Sequence, residues 1–444
     1  MSTTLKIFLF IQFAQAVLLS QTNTPGWVYN ASIYEVNVRQ FSEQGTFKAF
    51  QKHLPRLKEM GVDILWLMPI NPIGEKNRKG TLGSYYSVKD YKKINPEFGS
   101  KEDFKNLVDE IHKKGMCVIV DWVANHTSWD NPWVTDHPDF YTKDSLGNFV
   151  PPVPDWSDVI DLNYDNKELW KEMTDALKYW VKEFNIDGYR CDVAGMLPIE
   201  FWNEVRPELD KIKPVFMLAE WDTPEMHNKA FDMTYDWDLH KLMNGIYKGE
   251  KSPSDLKEHI VKDQQIYPDY AIRMQFTSNH DENTWNGTEF ERLGDAAEMF
   301  AVFTNVIPGM PLIYSGQEAA FNKRLDFFEK DLIVWKKSSF TQLYSKLNNL
   351  KNENKALWNG IKGGAIEFVD NSQNENALAF IRNNGEDKVF AIFNMSAKEI
   401  EVKINSRIIK GSYIDFDNDK SVEIKKDLNV VMKPWSYKLY YTKK

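Results

Sequence analysis

The sequence is poor in cysteine, in long apolar runs and in blocks of one charge. Its 444 residues include two cysteines, Cys117 and Cys191. Each lies in an apolar, strand-like run, which predicts buried thiols and excludes a disulfide framework or a zinc site. The net charge of −9 is spread along the chain. A nucleic-acid-binding protein would need a basic stripe, so we expect no nucleic acid among the partners.

One apolar run stands at the N-terminus, where it follows Lys6 and extends from Ile7 to Leu19. It is short for a membrane span and has the length of the apolar core of a signal peptide. We therefore expect residues 1–22 to be a signal peptide, with a retained anchor or a false signal as the alternative. The mature protein would then be periplasmic or extracellular, with no membrane span.

Short apolar runs alternate with helical patterns from Ile33 onward. In one pattern, Phe47, Phe50, Leu54, Leu57 and Met60 recur at helical spacing and predict one helix face. The alternation amounts to roughly eight strand–helix units, which predict a closed (β/α)8 TIM barrel, with a doubly wound open sheet as the alternative. The predicted strands are 32–38, 62–69, 117–121, 186–192, 215–220, 271–277 and 310–314, with a weaker segment within 231–268.

Two segments depart from this alternation. Residues 123–165 are polar and rich in proline, which predicts a short inserted segment after the third strand. After about residue 357, short alternating runs separated by polar turns predict an antiparallel β-sandwich. We therefore expect a catalytic barrel at 25–356, including the inserted segment, and a C-terminal β-sandwich domain at 357–444 that stabilises it.

Acidic residues stand at the ends of four predicted strands. Asp121 ends CVIVD, Asp192 ends GYRCD, Glu220 ends VFMLAE, and Asp281 follows AIRMQFTSNH. A single acid at such a position could simply cap the next helix. The carboxyl ends of barrel strands meet at one face, however, where enzymes of this architecture place their active sites. The four acids are therefore predicted to share one site.

Carboxylates that share a site repel one another and raise one another's pKa, and glycoside hydrolysis is a reaction that uses such a pair. Arg190 shares a strand face with Asp192 and would keep it ionised, as a nucleophile requires. A second acid, held protonated by its neighbours, would donate to the leaving oxygen. The alternative is divalent-metal chemistry. Arg190 argues against it, because the guanidinium would compete with a metal ion at Asp192.

Four motifs follow in order along the chain: DWVANH (121–126), GYRCDVAG (188–195), LAEWD (218–222) and SNHDEN (278–283). Two more matches are GSYYSVKDY (83–91) and DLN (161–163). Together they resemble the signatures of the α-amylase family, glycoside hydrolase family 13, over about Trp27 to Lys355. The resemblance implies a retaining hydrolase that cleaves α-1,4-glucosidic bonds of starch-derived glucans, of the amylase, maltodextrin hydrolase or neopullulanase type.

The resemblance also implies the catalytic roles. Asp192 would be the nucleophile that forms a covalent glycosyl-enzyme, and Glu220 would be the general acid/base. Asp281 would hold the sugar hydroxyls and stabilise the distorted ring. Asp121 would be structural. No cofactor would be needed for the chemistry.

Substrate-binding roles fall on five further residues. Arg190 would orient Asp192, and His126 and His280 would hydrogen-bond the sugar. Tyr86 would stack beneath the ring of that sugar. Trp221, next to the acid/base, would be an aromatic platform on the leaving-group side, with Trp156 and Trp285 as weaker candidates.

The resemblance also raises a structural calcium ion, because many family members bind one through the asparagine of the first motif. That residue is Asn125 here, and Asp155 and Asp158 of the inserted segment are available acids. The motif DLN ends in Asn163, where calcium-binding relatives tend to have an aspartate. A calcium ion would have no direct part in the chemistry.

Two departures from the family pattern bear on specificity. A Lys-His pair often follows the nucleophile in enzymes that cut long glucans, whereas here Gly195 and its neighbours lack both residues. Gly83 stands where exo-acting α-glucosidases often have an aspartate. We therefore expect endo-type or maltodextrin cleavage. The alternatives are a transglycosylase, an α-glucosidase or an isomerase of the same family, and a non-catalytic sugar-binding or partner protein.

Overall fold

The computed structural model describes residues 23–443, and eight parallel strands in that range close into one barrel. The predicted TIM barrel is confirmed and the open sheet is wrong. The first ten strands are β1 (Ile33–Val36), β2 (Ile64–Leu67), β3 (Cys117–Trp122), β4 (His126–Ser128), β5 (Val159–Asp161), β6 (Gly188–Cys191), β7 (Phe216–Ala219), β8 (Met233–Tyr235), β9 (Ile272–Gln275) and β10 (Met310–Tyr314). The order around the barrel is β1-β2-β3-β6-β7-β8-β9-β10.

Helices connect the strands and cover the barrel. They are α1 (Val38–Phe41), α2 (Phe47–Gln51), α3 (Leu54–Glu59), α4 (Lys101–Lys113), α5 (Trp133–Asp136), α6 (Lys167–Phe184), α7 (Ile199–Asp210), α8 (Trp237–Tyr247), α9 (Pro253–Ile266), α10 (Glu289–Leu293), α11 (Ala297–Val306) and α12 (Ser339–Glu353). The face predicted as one helix from Phe47 to Met60 is divided between α2 and α3. The division fits Pro55, which lacks an amide hydrogen and lies in the first turn of α3.

The barrel interior changes character along the strands. Its lower layers are apolar and include Ile33, Ile64, Ile119 and Phe216, all fully buried. Toward the carboxyl ends, inward positions become charged, as in the step from Ile33 to Glu35 on β1. The apolar layers fill the barrel, so the charged groups are collected at one face, as expected for this architecture.

The inserted segment at 123–165 contains β4 and β5, which pair antiparallel with His126 opposite Asp161. Its position after the third barrel strand is as predicted. The pairing places His126 at the start of a short, buried ladder and therefore next to the carboxyl end of β3.

The C-terminal region consists of antiparallel strands: β11 (Ala365–Phe368), β12 (Ala377–Asn384), β13 (Asp387–Asn394), β14 (Ile400–Asn405), β15 (Gly411–Asp415), β16 (Ser421–Ile424), β17 (Asp427–Met432) and β18 (Tyr437–Tyr441). Six of them form one sheet, in the order β11-β12-β13-β18-β15-β16, and β14 pairs with β17. Val402 and Ile404 of β14 pack with Phe390 and Ile392 of β13 in one apolar cluster. The two sheets therefore form the predicted sandwich.

The other face of the large sheet packs on the barrel. Phe300 and Phe303 of α11 share an apolar cluster with Phe380 and Phe393, and the Phe303 and Phe393 ring centroids are 5.2 Å apart. Arg382 of β12 is also buried in this contact. It donates hydrogen bonds to the carbonyl of Ile307 at 3.0 Å, just past α11, and to those of Gly364 and Trp358.

Several expectations concern single residues or the N-terminus. The predicted signal peptide lies outside the described residues. Among residues 23–443, no helix combines the length and the apolar character needed to cross a membrane. Cys191 is buried as predicted, but Cys117 is only half-buried, and both thiols are free. Cys117 is the first residue of β3, where the strand is less covered than in its middle.

Candidate active site

A cavity of about 500 Å³ lies at the carboxyl face of the barrel. Six of the predicted site residues line it: Tyr86, His126, Asp192, Glu220, His280 and Asp281. They come from loops or strand ends that are far apart in sequence. The barrel therefore brings these residues together, as the positions of the acids predicted.

Arg190 lies beneath the cavity and is completely buried. Its Nη1 atom donates to Asp192 Oδ1 at 2.8 Å and to Asp121 Oδ1 at 2.9 Å. Its Nη2 atom forms an ion pair with Glu220 Oε1 at 2.8 Å. The Nε atom donates to the hydroxyl of Tyr235 at 3.2 Å. One guanidinium therefore binds three carboxylates. It holds the two predicted catalytic groups, Asp192 and Glu220, in fixed positions relative to each other.

Asp121 is the structural partner in this arrangement. Its Oδ2 atom accepts hydrogen bonds from the indole of Trp66 at 3.1 Å and from the hydroxyl of Tyr86 at 3.0 Å. Asp121 is fully buried and does not line the cavity. It connects Arg190 to the aromatic residue that the resemblance places beneath the sugar.

A strained turn follows Asp192. Val193 has a left-handed backbone with φ of 37°, which is rare for a β-branched residue. Its amide donates to Glu220 Oε2 at 2.8 Å. The strain is therefore used to aim a main-chain donor at the predicted acid/base, a role that local strain often has at functional sites.

The pKa values of Asp192 and Glu220 both lie above those of exposed carboxyls. Burial raises the pKa of Asp192 well above its usual range, and the nearby charge of Glu220 raises it further. Burial also raises the pKa of Glu220, which Arg190 opposes and Asp281 reinforces. The sequence predicted that Arg190 would keep Asp192 ionised. In the structure, one guanidinium is shared among three acids, so Arg190 opposes only part of the rise in the pKa of Asp192.

His280 connects the cavity to the barrel interior. Its Nε2 atom lies 2.8 Å from the Tyr86 hydroxyl and 3.2 Å from Asp281 Oδ2. Its Nδ1 atom lies 2.5 Å from Glu35 Oε1. Burial alone would lower the pKa of His280, but Asp281 and Glu35 raise it well above its usual range. The ring is therefore an imidazolium that donates from both nitrogens.

Asp281 is the most readily ionised of the three predicted catalytic acids. Burial alone would raise its pKa, but the His280 imidazolium and its hydrogen bond bring the pKa below the ordinary value. A carboxylate that stays charged suits the predicted role of binding sugar hydroxyls and stabilising positive charge on the ring.

Glu35 is a buried charged residue beneath the site that the sequence analysis missed. It is fully buried on β1, and its Oε2 atom has no hydrogen-bond partner. The signal that could have revealed it is a charged residue inside the apolar run SIYEVNV, on the same strand face as Ile33. A carboxylate at such a position needs a cationic partner, and His280 is that partner.

Two aromatic contacts shape the cavity wall. The Tyr86 ring is nearly parallel to the rings of His280, at a centroid distance of 5.4 Å, and Phe327, at 6.2 Å. His126 is buried, and burial lowers its pKa to about 4, so it is neutral near pH 7. The ring of Trp156, which lines the cavity, packs edge-on against His126 at 5.5 Å. Phe327 was not singled out by any motif.

Trp221 packs against the main chain of Gly195. A Cβ atom added to Gly195 would lie 2.0 Å from Trp221 Cε2, so only glycine allows this contact. The indole is not among the side chains that line the cavity, whereas those of Trp156 and Trp285 are. The platform role of Trp221 stays a prediction.

The expected calcium ligand Asn125 is buried next to the cavity, with its Nδ2 atom 3.3 Å from His126 Nδ1. Asp158 of the inserted segment is paired with the ammonium of Lys79, Nζ to Oδ1 at 3.3 Å. Within residues 23–443, no group of three acidic, histidine or cysteine ligands is centred on Asn125. Calcium takes carboxylate, amide and backbone carbonyl oxygens. The pairing of Asp158 with Lys79 weighs against a calcium ion beside Asn125, and the calcium site stays a prediction that chelation can test.

A cluster of potential metal ligands does exist elsewhere in the described part of the chain, at Asp236, His259 and Asp263. Arg273 donates from Nε to Asp263 Oδ2 at 2.9 Å, and its Nη2 atom lies 3.6 Å from Asp236 Oδ1. The guanidinium already supplies the positive charge that these acids require. We therefore assign the cluster to structure.

Comparison with known proteins identifies the same region. The model of the alpha amylase catalytic domain matches residues 21–151 and 153–356. Among curated proteins, Alpha-amylase 2 of Dictyoglomus thermophilum is 27% identical over 434 aligned residues, which cover 86% of this chain and 74% of the relative. The match to the family model ends at residue 356, where the predicted β-sandwich domain begins.

Two solved structures resemble the chain over nearly its whole length. The noncanonic maltogenic alpha-amylase of Thermotoga neapolitana has a TM-score of 0.85 at 31% identity, covering 93% of this chain and 98% of its own. An alpha-amylase of Lactobacillus plantarum has a TM-score of 0.83 at 33% identity, covering 94% and 99%. The likeness therefore includes the C-terminal sheets as well as the barrel.

Proposed function

The chain belongs to the alpha-amylase family, and on that premise we propose that it is a retaining glycoside hydrolase of starch-derived α-glucans. It cleaves α-1,4-glucosidic bonds of glucans and maltodextrins through a covalent glycosyl-enzyme. The observation that carries the proposal is the contact of one buried guanidinium, that of Arg190, with both Asp192 and Glu220. Retaining glycosidases need two carboxyl groups about 5–5.5 Å apart, close enough for one guanidinium to contact both.

The first step forms the covalent intermediate. Arg190 holds Oδ1 of Asp192 and so presents Oδ2 to the anomeric carbon of the bound sugar. Glu220 donates its proton to the glycosidic oxygen as the bond from that oxygen to the anomeric carbon breaks. The leaving sugar departs with a hydroxyl group, and an ester joins Asp192 to the glycone.

The second step releases the glycone. Glu220, now a carboxylate, takes a proton from a water molecule, whose oxygen attacks the anomeric carbon and displaces Asp192. Two inversions leave the product with the configuration of the substrate. The amide of Val193 donates to Glu220 Oε2 and favours its carboxylate form, which is the base in this step.

The surroundings of the two carboxyls suit a sugar. Asp281 and the His280 imidazolium offer charged hydrogen-bond partners to hydroxyl groups, and Asp281 stabilises positive charge on the ring. Tyr86 offers an aromatic face for the apolar side of the ring. The cavity has a volume of about 500 Å³ and is lined by both charged groups and aromatic rings. Such a lining is typical of a small-ligand site.

Product analysis of the purified protein tests the proposal. Soluble starch, pullulan, maltotriose and sucrose are incubated with the wild type and with Asp192→Asn and Glu220→Gln, and products are separated over time. We expect maltodextrins or panose from the wild type and a loss of at least about 10³-fold in each variant. Asp165→Asn, an exposed aspartate on the inserted segment, is the matched control and should match the wild type.

The outcomes separate the alternatives. New, longer oligosaccharides would indicate a transglycosylase, and an isomeric disaccharide from sucrose would indicate an isomerase. Unchanged turnover in Asp192→Asn or Glu220→Gln would contradict the assigned roles. The absence of any product from a folded protein would favour a non-catalytic binding protein.

Export of the mature protein to the periplasm or the outside of the cell is part of the proposal. Its support is the apolar run from Ile7 to Leu19 behind Lys6. Cell fractionation followed by N-terminal sequencing tests it. We expect a mature N-terminus between Ala16 and Thr22, and a full-length protein in the cytoplasm would contradict export.

A further inference from the structure

Lys79 joins two loops at the edge of the active-site cavity. Its ammonium donates to the backbone carbonyl of Asp155 at 2.5 Å and forms an ion pair with Asp158 Oδ1 at 3.3 Å. Lys79 belongs to the loop after β2, and both aspartates belong to the inserted segment after β3. All three residues line the cavity. We call them the lysine strap.

A third loop is tied to the same place. The amide of Leu82 donates to the carbonyl of Phe328 at 3.0 Å, and the amide of Thr81 donates to Glu329 Oε1 at 2.6 Å. Phe327 and Phe328, on the loop after β10, both line the cavity. One backbone and one side-chain hydrogen bond therefore hold the loop after β2 and the loop after β10 together.

An aromatic residue continues this wall toward the next loop. Trp285 follows Asp281 on the loop after β9, and its ring lies 5.3 Å from Phe327 and 6.1 Å from Phe328. Trp285 is 52% exposed although it lines the cavity, so it stands at the rim. Four loops thus meet along one side of the site.

The strand order shows which side this is. Around the barrel, β1 and β7 are diametrically opposite, and β2 and β10 are the two neighbours of β1. The joined loops follow β2, β3 and β10, whereas Glu220 stands at the end of β7. Glu220 protonates the leaving oxygen in the proposed mechanism, so the leaving group lies on its side. The joined loops therefore face the glycone.

We propose that the lysine strap and the aromatic wall close the glycone end of the cavity, so that the enzyme attacks α-glucans from their non-reducing ends. The inference rests on the proposed hydrolase function and specifies its mode of attack. A long glycone would have to pass through the joined loops, whereas a short one fits the cavity. Lys79 is then a specificity-determining residue.

The residues that close the site differ from the position that the family pattern associates with exo action. Gly83 weighed against an exo-acting enzyme because it replaces an aspartate near Tyr86. In the structure, the closing ion pair is formed by Lys79 and Asp158 instead. The strap is also partly exposed, with the side chain of Lys79 at 33%. Such a pair contributes little to stability, so its removal should leave the fold intact.

Two substrates that differ only at the non-reducing end test the proposal. One is a p-nitrophenyl maltoheptaoside, and the other is the same compound with its non-reducing glucose blocked by a 4,6-acetal. We expect the wild type to cleave the unblocked substrate at least about tenfold faster in kcat/KM, because a clash in a closed pocket has this size of effect. Its first products should be short fragments from the non-reducing end.

Variants test the role of the strap itself. Lys79→Ala and Asp158→Asn should each lower the preference for the unblocked substrate severalfold and give longer early products. Lys76→Ala is the matched control, since Lys76 is on the same loop but packs over Trp129 and does not line the cavity. Circular dichroism and Tm confirm that each variant is folded.

Three results would overturn the inference. They are equal cleavage of both substrates by the wild type, an unchanged preference in both strap variants, or the same change in Lys76→Ala. Failure of the proposed hydrolase function looks different, because neither substrate and no starch would then be cleaved. The two failures are therefore distinguishable.

Discussion

The Nδ1 atom of His280 lies 2.5 Å from Oε1 of Glu35, a carboxylate on the first barrel strand that is completely buried. This contact joins two strand ends that are neighbours of β10 on either side. The same ring reaches Asp281 and Tyr86 with its other nitrogen. Glu35 therefore fixes the orientation and the charge of a residue that touches the sugar in the proposed complex, and it acts as a positioning residue.

Replacement of Glu35 should weaken catalysis without a direct contact to substrate. A hydrogen bond to a charged group contributes about 1.5–3 kcal/mol, so we expect kcat/KM to fall about 10- to 100-fold in Glu35→Ala. Glu35→Gln keeps an acceptor for Nδ1 and should lose less. Loss of the negative charge also lowers the pKa of His280, which NMR titration of the ring would detect. An unchanged titration in both variants would contradict the positioning role.

The charge of Asp281 should set the alkaline limit of activity. Asp281 raises the pKa of Glu220, whose main cause of elevation is burial. Asp281→Asn removes that repulsion and lowers the pKa of Glu220, so the acid loses its proton at a lower pH. The basic limb of the residual kcat/KM profile should move to lower pH. Glucosyl fluoride, whose leaving group needs no proton, is the control, and a limb that moves upward would refute the prediction.

Arg382 should contribute strongly to the free energy of unfolding. It is buried between the sheet and the barrel, where burial lowers its pKa to about 9, and it donates to several carbonyl groups. Arg382→Ala leaves these acceptors unpaired, so we expect a loss of about 3 kcal/mol in urea unfolding. Arg407→Ala, at an exposed position of the same domain, should change stability by less than about 0.5 kcal/mol. Equal effects in both variants would show that the buried contacts are not decisive.

Chelation should leave the protein unchanged. The described residues place no group of three carboxylate, histidine or cysteine ligands at Asn125, and Asp158 is paired with Lys79. If the protein bound a structural calcium ion, a free calcium concentration of about a hundred times the Kd would stabilise the fold by about 2.7 kcal/mol. Removal of that calcium would then lower Tm by several degrees. We expect the same Tm and the same starch hydrolysis before and after treatment with EDTA. A lower Tm that calcium restores would reverse this conclusion.

The barrel could be predicted because its strands are apolar runs of the expected length between helical patterns. The clearest runs, such as CVIVD, became strands at the predicted positions, with β3 at Cys117–Trp122. The weakest case, β8, has only three residues, and its local signal is correspondingly small. The single helix predicted over Phe47 to Met60 is divided because Pro55 begins a new helix, a local effect that apolar spacing alone does not encode.

The acids of the site could be predicted because parallel strand ends converge in a barrel. Contacts between loops follow no such rule, since they depend on where long connections fold back. Lys79 and Phe327 were therefore missed, although both line the cavity. Glu35 was missed for a different reason, because it has no motif and its partner His280 is distant in sequence. The sharing of Arg190 among three acids also depends on side-chain placement across neighbouring strands.

An apolar cluster joins Phe300 and Phe303 of α11 to Phe380 and Phe393. This contact limits where the chain can be truncated or recombined with a relative. The pattern of the sequence changes near residue 357, but the aromatic interior does not stop there. A barrel cut at that point would expose a phenylalanine-lined surface to water, with the cost and the tendency to aggregate that this implies. The C-terminal sheets are therefore not an independent module. A chimera made with a relative would need to take α11 and the C-terminal sheets from the same parent, because their side chains share one apolar cluster.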